Sequence, residues 1–462
     1  MLHSKNNIFI FFSNLKRPEK ILFILINICL IVDVAICTSP EFIPEQVKSS
    51  FSFVVFNFIT IVIIIGQMYL LRFAEKDNKL LLSKSKYLNY LSKITKISCY
   101  ILTANLIFVT ISMVIFNEYF IMNLLIANNI SVFVGSFFLG SLGLKFIIWF
   151  TIKRDSYVLL FYGMGLIFLF LSFFTIFLSD NFLIIAKPLS INANLEITYP
   201  EIENNIFDII NNSYIFLRTA SYVMMLLGTF VLLSYYSNKT QKVKLFFALV
   251  IVFIIYFISS LDAFQIMEIS IYDEELFFYY IFQSLITTVG GIIFGYSFLK
   301  VASKLEVDNP IKKLLVITGF GFILIYTVNQ TTVIATAYPP YGLPALSFIV
   351  ISVYLLCFGI YSSAISLSNT IVLRNKIRLL TQNNTNLFSS IGEAQVASQL
   401  QKAVKSVKTI VEQEEEKLKE KTGVEVNFTE DKVQDYMEQV MQEVLKSRSV
   451  KKKSLIVFID LF

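Results

Sequence analysis

The sequence predicts an all-α integral membrane protein with about ten transmembrane helices and a helical cytoplasmic tail. Apolar residues make up 56% of the 462 residues and charged residues only 16%. Soluble globular chains usually have roughly 25% charged residues. The apolar residues are gathered in segments of about 16 to 25 residues, and most are long enough to cross a hydrocarbon core of about 30 Å as helices.

Ten such segments define the predicted bundle, residues 1–366, and charged or turn-forming residues separate them. Residues 367–462 are far more polar and form the predicted tail. The predicted spans are Ile21–Cys37, Phe51–Leu71, Ile97–Phe116, Asn128–Trp149, Tyr157–Leu178, Tyr214–Tyr236, Phe246–Leu261, Phe277–Val301, Leu314–Ala335 and Leu343–Ser366.

The connections between these segments alternate between basic and acidic. Lys and Arg are concentrated in the N-terminal arm and in every second connection, whereas the others hold only Lys48 and Lys187 among many Asp and Glu. Basic connections stay in the cytoplasm. The alternation therefore predicts a plasma-membrane protein with both termini cytoplasmic. It also accounts for the net charge of +6, so the charge does not indicate nucleic-acid binding.

Few polar side chains fall inside the predicted spans. Ionisable groups at this depth are costly, and they are candidates for function. The sequence points to Asp33, Arg218, Asn329 and Gln330, which the predicted topology places at similar depth in the outer half of the bundle. One interpretation is an outward-facing ligand pocket in which Asp33 pairs with Arg218. The other is that Arg218 extends to the interface while the amides bond between helices.

Small residues recur at the spacing that lets two helices approach closely. Gly291 and Gly295 form such a pair in the eighth span, and Gly140 and Gly143 lie on a similar face of the fourth. These faces predict packing seams within one bundle; a dimer interface is the alternative. Tyr338–Pro344 is rich in proline and predicts a sharp turn before the last span.

The chain lacks the usual catalytic combinations. Its single histidine, His3, precedes the first predicted span, which argues against Ser–His or Cys–His catalysis. Neither a phosphate-binding glycine loop nor a metal-ligand cluster is apparent. We therefore expect no enzymatic activity, no metal site and no cofactor.

The tail carries an apolar stripe at four-three spacing, which predicts a helix that packs on a partner. A signalling linker and a simple packing stalk share this pattern. Its partner would be a cytoplasmic protein or a second copy of the chain. The residues that we expect to bind that partner are Leu373, Ile377, Leu380, Leu400, Val404, Val407 and Val411.

Four motifs give the last part of the chain a resemblance to known sequences. They are Ala337–Gly342, Gly359–Ser366, Arg374–Arg378 and Ser390–Gln395. In these motifs the chain resembles uncharacterised multi-pass membrane proteins of ammonia-oxidising archaea. The resemblance implies an archaeal plasma membrane, and it supplies neither an activity nor site residues.

Two functions follow from these features. The first is a non-enzymatic sensor or scaffold that couples the bundle to its coiled-coil tail. The second is a secondary transporter or channel with an outward-facing polar pocket, because ten spans can divide into two inverted halves of five. The sparse glycine, 16 residues in all, and the lack of similarity between halves favour the first.

Overall fold

The computed structural model confirms an all-helical membrane architecture. It describes residues 17–38, 50–76, 85–116, 120–186, 204–263, 273–305, 310–328, 339–369, 390–399 and 401, and all regular structure among them is helical. The helices of the bundle are α1 Arg17–Thr38, α2 Ser50–Lys76, α3 Lys86–Phe116, α4 Ile121–Ile152, α5 Tyr157–Ala186, α6 Asn204–Ser234, α7 Lys239–Ala263, α8 Asp273–Ser303, α9 Pro310–Val328, α10 Leu343–Ser347 and α11 Ile349–Asn369.

Nine helical stretches within these residues are long and apolar enough to cross a membrane. They correspond to the second to tenth predicted spans, and α10 with α11 forms the last. The first predicted span is also a helix, but its apolar part, Ile21–Cys37, is shorter than the others. At 1.5 Å per residue it is roughly 26 Å long, which is less than a typical hydrocarbon core.

The last span is the centre of the bundle. Its most apolar stretch is entirely buried, whereas only 17% of the corresponding stretch of α7 is buried. Helices α2, α3, α4 and α9 all pack against α11. Apolar side chains on the outer faces of the surrounding helices, such as Phe58 and Ile61 of α2, remain exposed, as expected for lipid contact.

The glycine seams lie within the bundle, as predicted. A Cβ atom at Gly291 would be 2.6 Å from the Tyr326 Cβ of α9, and one at Gly295 would collide with the carbonyl oxygen of Gly319. In α4, a Cβ atom at Gly143 would be 2.9 Å from the side chain of Ile167 in α5. These glycines therefore let neighbouring helices of the same chain approach closely.

The proline-rich segment forms the predicted turn, and the turn leads into the short helix α10. Leu343 N–H donates to the Pro340 carbonyl at 3.3 Å, and Gly342 has a φ of 87°. This left-handed conformation favours glycine because it has no Cβ. Phe348 separates α10 from α11. The last span therefore begins with a short helix whose five residues are all buried.

The chain divides into two compact units, Met1–Ser390 and Ile391–Phe462. In the first, α11 continues to Asn369, three residues beyond the predicted end of the span at Ser366. In the second, the described residues up to 399 are helical. The residues expected to bind a partner all lie outside the described part of the chain.

Candidate functional site

Asp33 is fully buried, and its carboxylate binds the backbone at the start of α10. Oδ1 accepts a hydrogen bond from the Gly342 N–H at 3.0 Å, and Oδ2 accepts one from the Ala345 N–H at 2.8 Å. The first N–H groups of a helix have no partner within that helix, and a nearby side-chain oxygen usually caps them. Here Asp33 of α1 supplies the cap for a different helix.

Further polar contacts hold α10 to its neighbours. The Tyr341 hydroxyl donates to the Ser52 carbonyl at 2.7 Å. Gln67 donates to the Ser347 hydroxyl at 2.8 Å and accepts from Thr103 at 3.3 Å. The start of the central span is thus bonded to α1 and α2, and through Gln67 to α3. We call these residues the Asp33 cluster: Asp33, Ser52, Gln67, Thr103, Tyr341 and Ser347.

Arg218 lies in a second group of polar residues, between α6 and α8. Its Nη1 donates to the Tyr214 hydroxyl at 3.3 Å, and its Nη2 is 3.5 Å from Thr287 Oγ1. The guanidinium carbon is 5.9 Å from the centre of the Tyr214 ring. The Nε atom is enclosed and has no hydrogen-bond partner among the described residues. At most two of its five N–H groups therefore have a partner within the described ranges.

Of the two interpretations of these charges, the one in which Asp33 pairs with Arg218 does not agree with their contacts. Asp33 bonds to the backbone of α10, while Arg218 bonds to hydroxyl groups of α6 and α8. The prediction considered only charged side chains as partners for the carboxylate. It overlooked the free N–H groups that appear where the proline-rich turn becomes a helix. Asn329 and Gln330, the other predicted pocket residues, lie outside the described residues.

The structure also brings together hydroxyl groups that the sequence analysis did not single out. The Tyr162 hydroxyl lies 3.0 Å from Thr229 Oγ1 and 3.2 Å from Ser297 Oγ. Ser221 donates to the Gly165 carbonyl at 2.8 Å. Ser221 comes three positions after Arg218, and Thr229 comes eight positions after Ser221. This spacing puts the three residues on one face of α6. That spacing is a sequence signal for this polar seam.

An ion pair lies beside the central helix as well. The Lys96 Nζ atom is 2.7 Å from a carboxylate oxygen of Glu75, and Ser92 donates a hydrogen bond to the same carboxylate. The pair joins the end of α2 to α3. It is partly exposed, so it contributes little stability, in the range of about 0–1 kcal/mol.

The chain matches no protein-family model, no curated protein and no solved structure. Within the described ranges, the acidic, histidine and cysteine side chains form no group of three that would suit a metal ion. The two polar groups around Asp33 and Arg218 are therefore the candidate sites, and both depend on side chains inside the bundle.

Proposed function

We propose that this protein is a non-enzymatic membrane sensor or scaffold that transmits changes in its helical bundle to the tail through α11. The observation that carries the proposal is the complete burial of the span that precedes the tail. A helix at the centre of a bundle contacts many of the other helices. A change in any of them therefore acts on the helix that leads into residues 370–462.

The contacts of α11 support such coupling along its whole length. The Gly321 backbone of α9 packs directly on Leu356, and the Cys357 thiol is 3.5 Å from the Phe138 carbonyl of α4. Further along, the Tyr361 ring stacks on Tyr87 of α3 with 4.4 Å between ring centres. Closely packed interfaces of this kind shift between discrete arrangements rather than deforming gradually.

The Asp33 cluster supplies the other end of the coupling. The carboxylate holds α10, which is separated from α11 by Phe348 alone. A ligand or a proton that takes this carboxylate away from the Gly342 and Ala345 N–H groups would free α10. The start of the central helix would then be able to move. In this proposal α11 carries that movement to the tail, where the apolar stripe from Leu373 binds a cytoplasmic protein or a second copy of the chain.

The proposed orientation rests on the alternating charge of the connections. It places both termini in the cytoplasm and the Asp33 cluster toward the outer face of the plasma membrane. Stimuli would then reach the bundle from outside and act on partners inside. Labelling of single cysteines introduced near each terminus, in intact and in permeabilised cells, tests this orientation.

The coupling is tested by hydrogen exchange on the full-length protein in lipid nanodiscs. We expect Asp33→Asn to accelerate exchange in α10 and also in residues 370–462, because the cap and the tail are joined by α11. Val32→Ala is the matched control, since Val32 is on the exposed face of the same helix. Acceleration that stops within the bundle would contradict the proposal, even if Asp33 caps α10.

Transport is the second candidate, and the Arg218 group favours it. A cation inside a span and a face of hydroxyl groups along α6 are features of solute pathways. This alternative predicts flux of a solute into proteoliposomes that depends on Asp33 or Arg218. Flux that both Asp33→Asn and Arg218→Gln leave unchanged would argue against transport by these residues.

A further inference from the structure

We propose that Arg218 forms a binding site for an oxyanion, specifically a phosphate group, between α6 and α8. The inference goes beyond the sensor or scaffold proposed above, whose coupling through α11 makes no use of Arg218. It rests on the charge of this residue, on its unused donors and on the aromatic hydroxyl groups around it.

The charge of Arg218 has to be balanced inside the bundle. A guanidinium stays protonated in proteins, and a cation at membrane depth is costly unless an anion pairs with it. Arg218 is six positions inside the span that begins at Asn212, which is roughly 9 Å along the helix axis. No described acidic side chain forms an ion pair with Arg218, and the two that lie within the bundle have other partners: Asp33 binds α10 and Glu75 binds Lys96. Neither is available to Arg218.

The donors of Arg218 are also incompletely used. Hydrogen bonds from N–H to oxygen usually measure about 2.7–3.2 Å. The contacts to Tyr214 and Thr287, at 3.3 and 3.5 Å, are longer and therefore weak. Nε makes none at all. A planar guanidinium presents paired N–H groups that match two oxygens of a phosphate, so a bound oxyanion would satisfy donors that the described protein groups leave free.

The described side chains around the guanidinium suit an anion because they are neutral and rich in hydroxyl groups. The Tyr214 hydroxyl bonds directly to Nη1, and the Tyr256 and Tyr326 side chains are close enough to interact electrostatically with the guanidinium. Tyrosine hydroxyls donate hydrogen bonds to oxyanions, and their rings keep the local dielectric constant low. The side chain of Arg218 remains partly exposed, so a ligand can approach it.

The phosphate group has two sources, a lipid headgroup and a free solute, and two probes distinguish them. The first is inorganic phosphate, titrated into full-length protein in a neutral detergent against sodium chloride at equal ionic strength, with thermal unfolding as the readout. The second is phosphatidic acid in phosphatidylcholine nanodiscs, with native mass spectrometry counting the lipid that stays bound. Each probe is applied to the wild type, Arg218→Gln and Arg72→Gln. Arg72 is an exposed arginine of α2 and serves as the matched control.

We expect Arg218→Gln to weaken binding of the responding probe at least about tenfold, since hydrogen bonds to charged groups are worth that much or more. Arg72→Gln should bind as the wild type does. A response to inorganic phosphate identifies a free solute, and a response to phosphatidic acid alone identifies a headgroup. Wild-type protein that binds neither probe saturably would overturn the proposal, whether or not the variants fold. So would equal binding by wild type and Arg218→Gln, as expected if the side chain pairs with an acid of this chain.

Discussion

Replacing Asp33 should destabilise the bundle in proportion to the number of backbone donors that lose their acceptor. Asp33→Ala leaves the buried Gly342 and Ala345 N–H groups without the oxygens that now lie 3.0 and 2.8 Å away. Each unsatisfied buried donor costs about 1–3 kcal/mol, so the loss is about 2–6 kcal/mol. Asp33→Asn keeps one acceptor oxygen and should lose about half as much. Burial of a carboxylate is itself unfavourable, which places both values toward the lower end.

The four cysteines of the chain provide the assay for these variants. All four thiols are buried and outside any disulfide, so a thiol-reactive fluorophore labels them only as the bundle unfolds. Titration of mixed micelles with a denaturing detergent then gives the free energy of unfolding of each variant. If Asp33→Ala and the control Val32→Ala lose equal amounts, the capping role assigned to Asp33 is refuted. The cysteines are Cys29, Cys37, Cys99 and Cys357.

Two further substitutions probe the packing of the bundle. Gly295→Ala should cost about 1–3 kcal/mol, because its methyl group collides with the backbone carbonyl of Gly319, which cannot rotate away. Tyr162→Phe should cost about 0.6 kcal/mol and at most about 1.7 kcal/mol, because it removes the hydroxyl shared with Thr229 and Ser297. Both losses are measured with the same cysteine-labelling titration.

Each of these variants has a control in the same bundle. Gly140→Ala should be better tolerated than Gly295→Ala, because its methyl group meets the Phe170 ring at 3.1 Å and a side chain can yield. Tyr157→Phe changes an exposed tyrosine and should have no effect. Equal losses for Gly140→Ala and Gly295→Ala would contradict the close approach of α8 and α9.

The arrangement of the bundle could be predicted only in part. Hydropathy and charge are properties of local segments, and they correctly located the helices from α2 to α11. They also indicated the seams at Gly291 and Gly143, because small residues three or four positions apart recur within one helix. They did not show that the last span is central. An apolar segment can pack against lipid or against other helices. Which segments are buried in the bundle therefore depends on contacts between segments that are far apart in the sequence.

The candidate sites show where reasoning from side-chain types reaches its limit. Asp33 and Arg218 stood out because charges are rare inside spans, and both do lie within the bundle. Their partners were not predictable in the same way. Asp33 binds N–H groups that lack a partner within α10 because that helix begins at Leu343, more than three hundred positions later. Every residue except proline has a backbone N–H, so composition does not show which of these groups will need a partner.

The position of α11 has a consequence for how the protein is made. Membrane helices are synthesised in chain order, so α11 leaves the ribosome after α2, α3, α4 and α9, the four helices that pack on it. Until residues 343–369 are inserted, those four helices lack the surface that buries their inner faces. The Asp33 carboxylate likewise lacks its two hydrogen-bond donors until Gly342 and Ala345 have been synthesised. The packing of these four helices is therefore complete only after α11 has been synthesised.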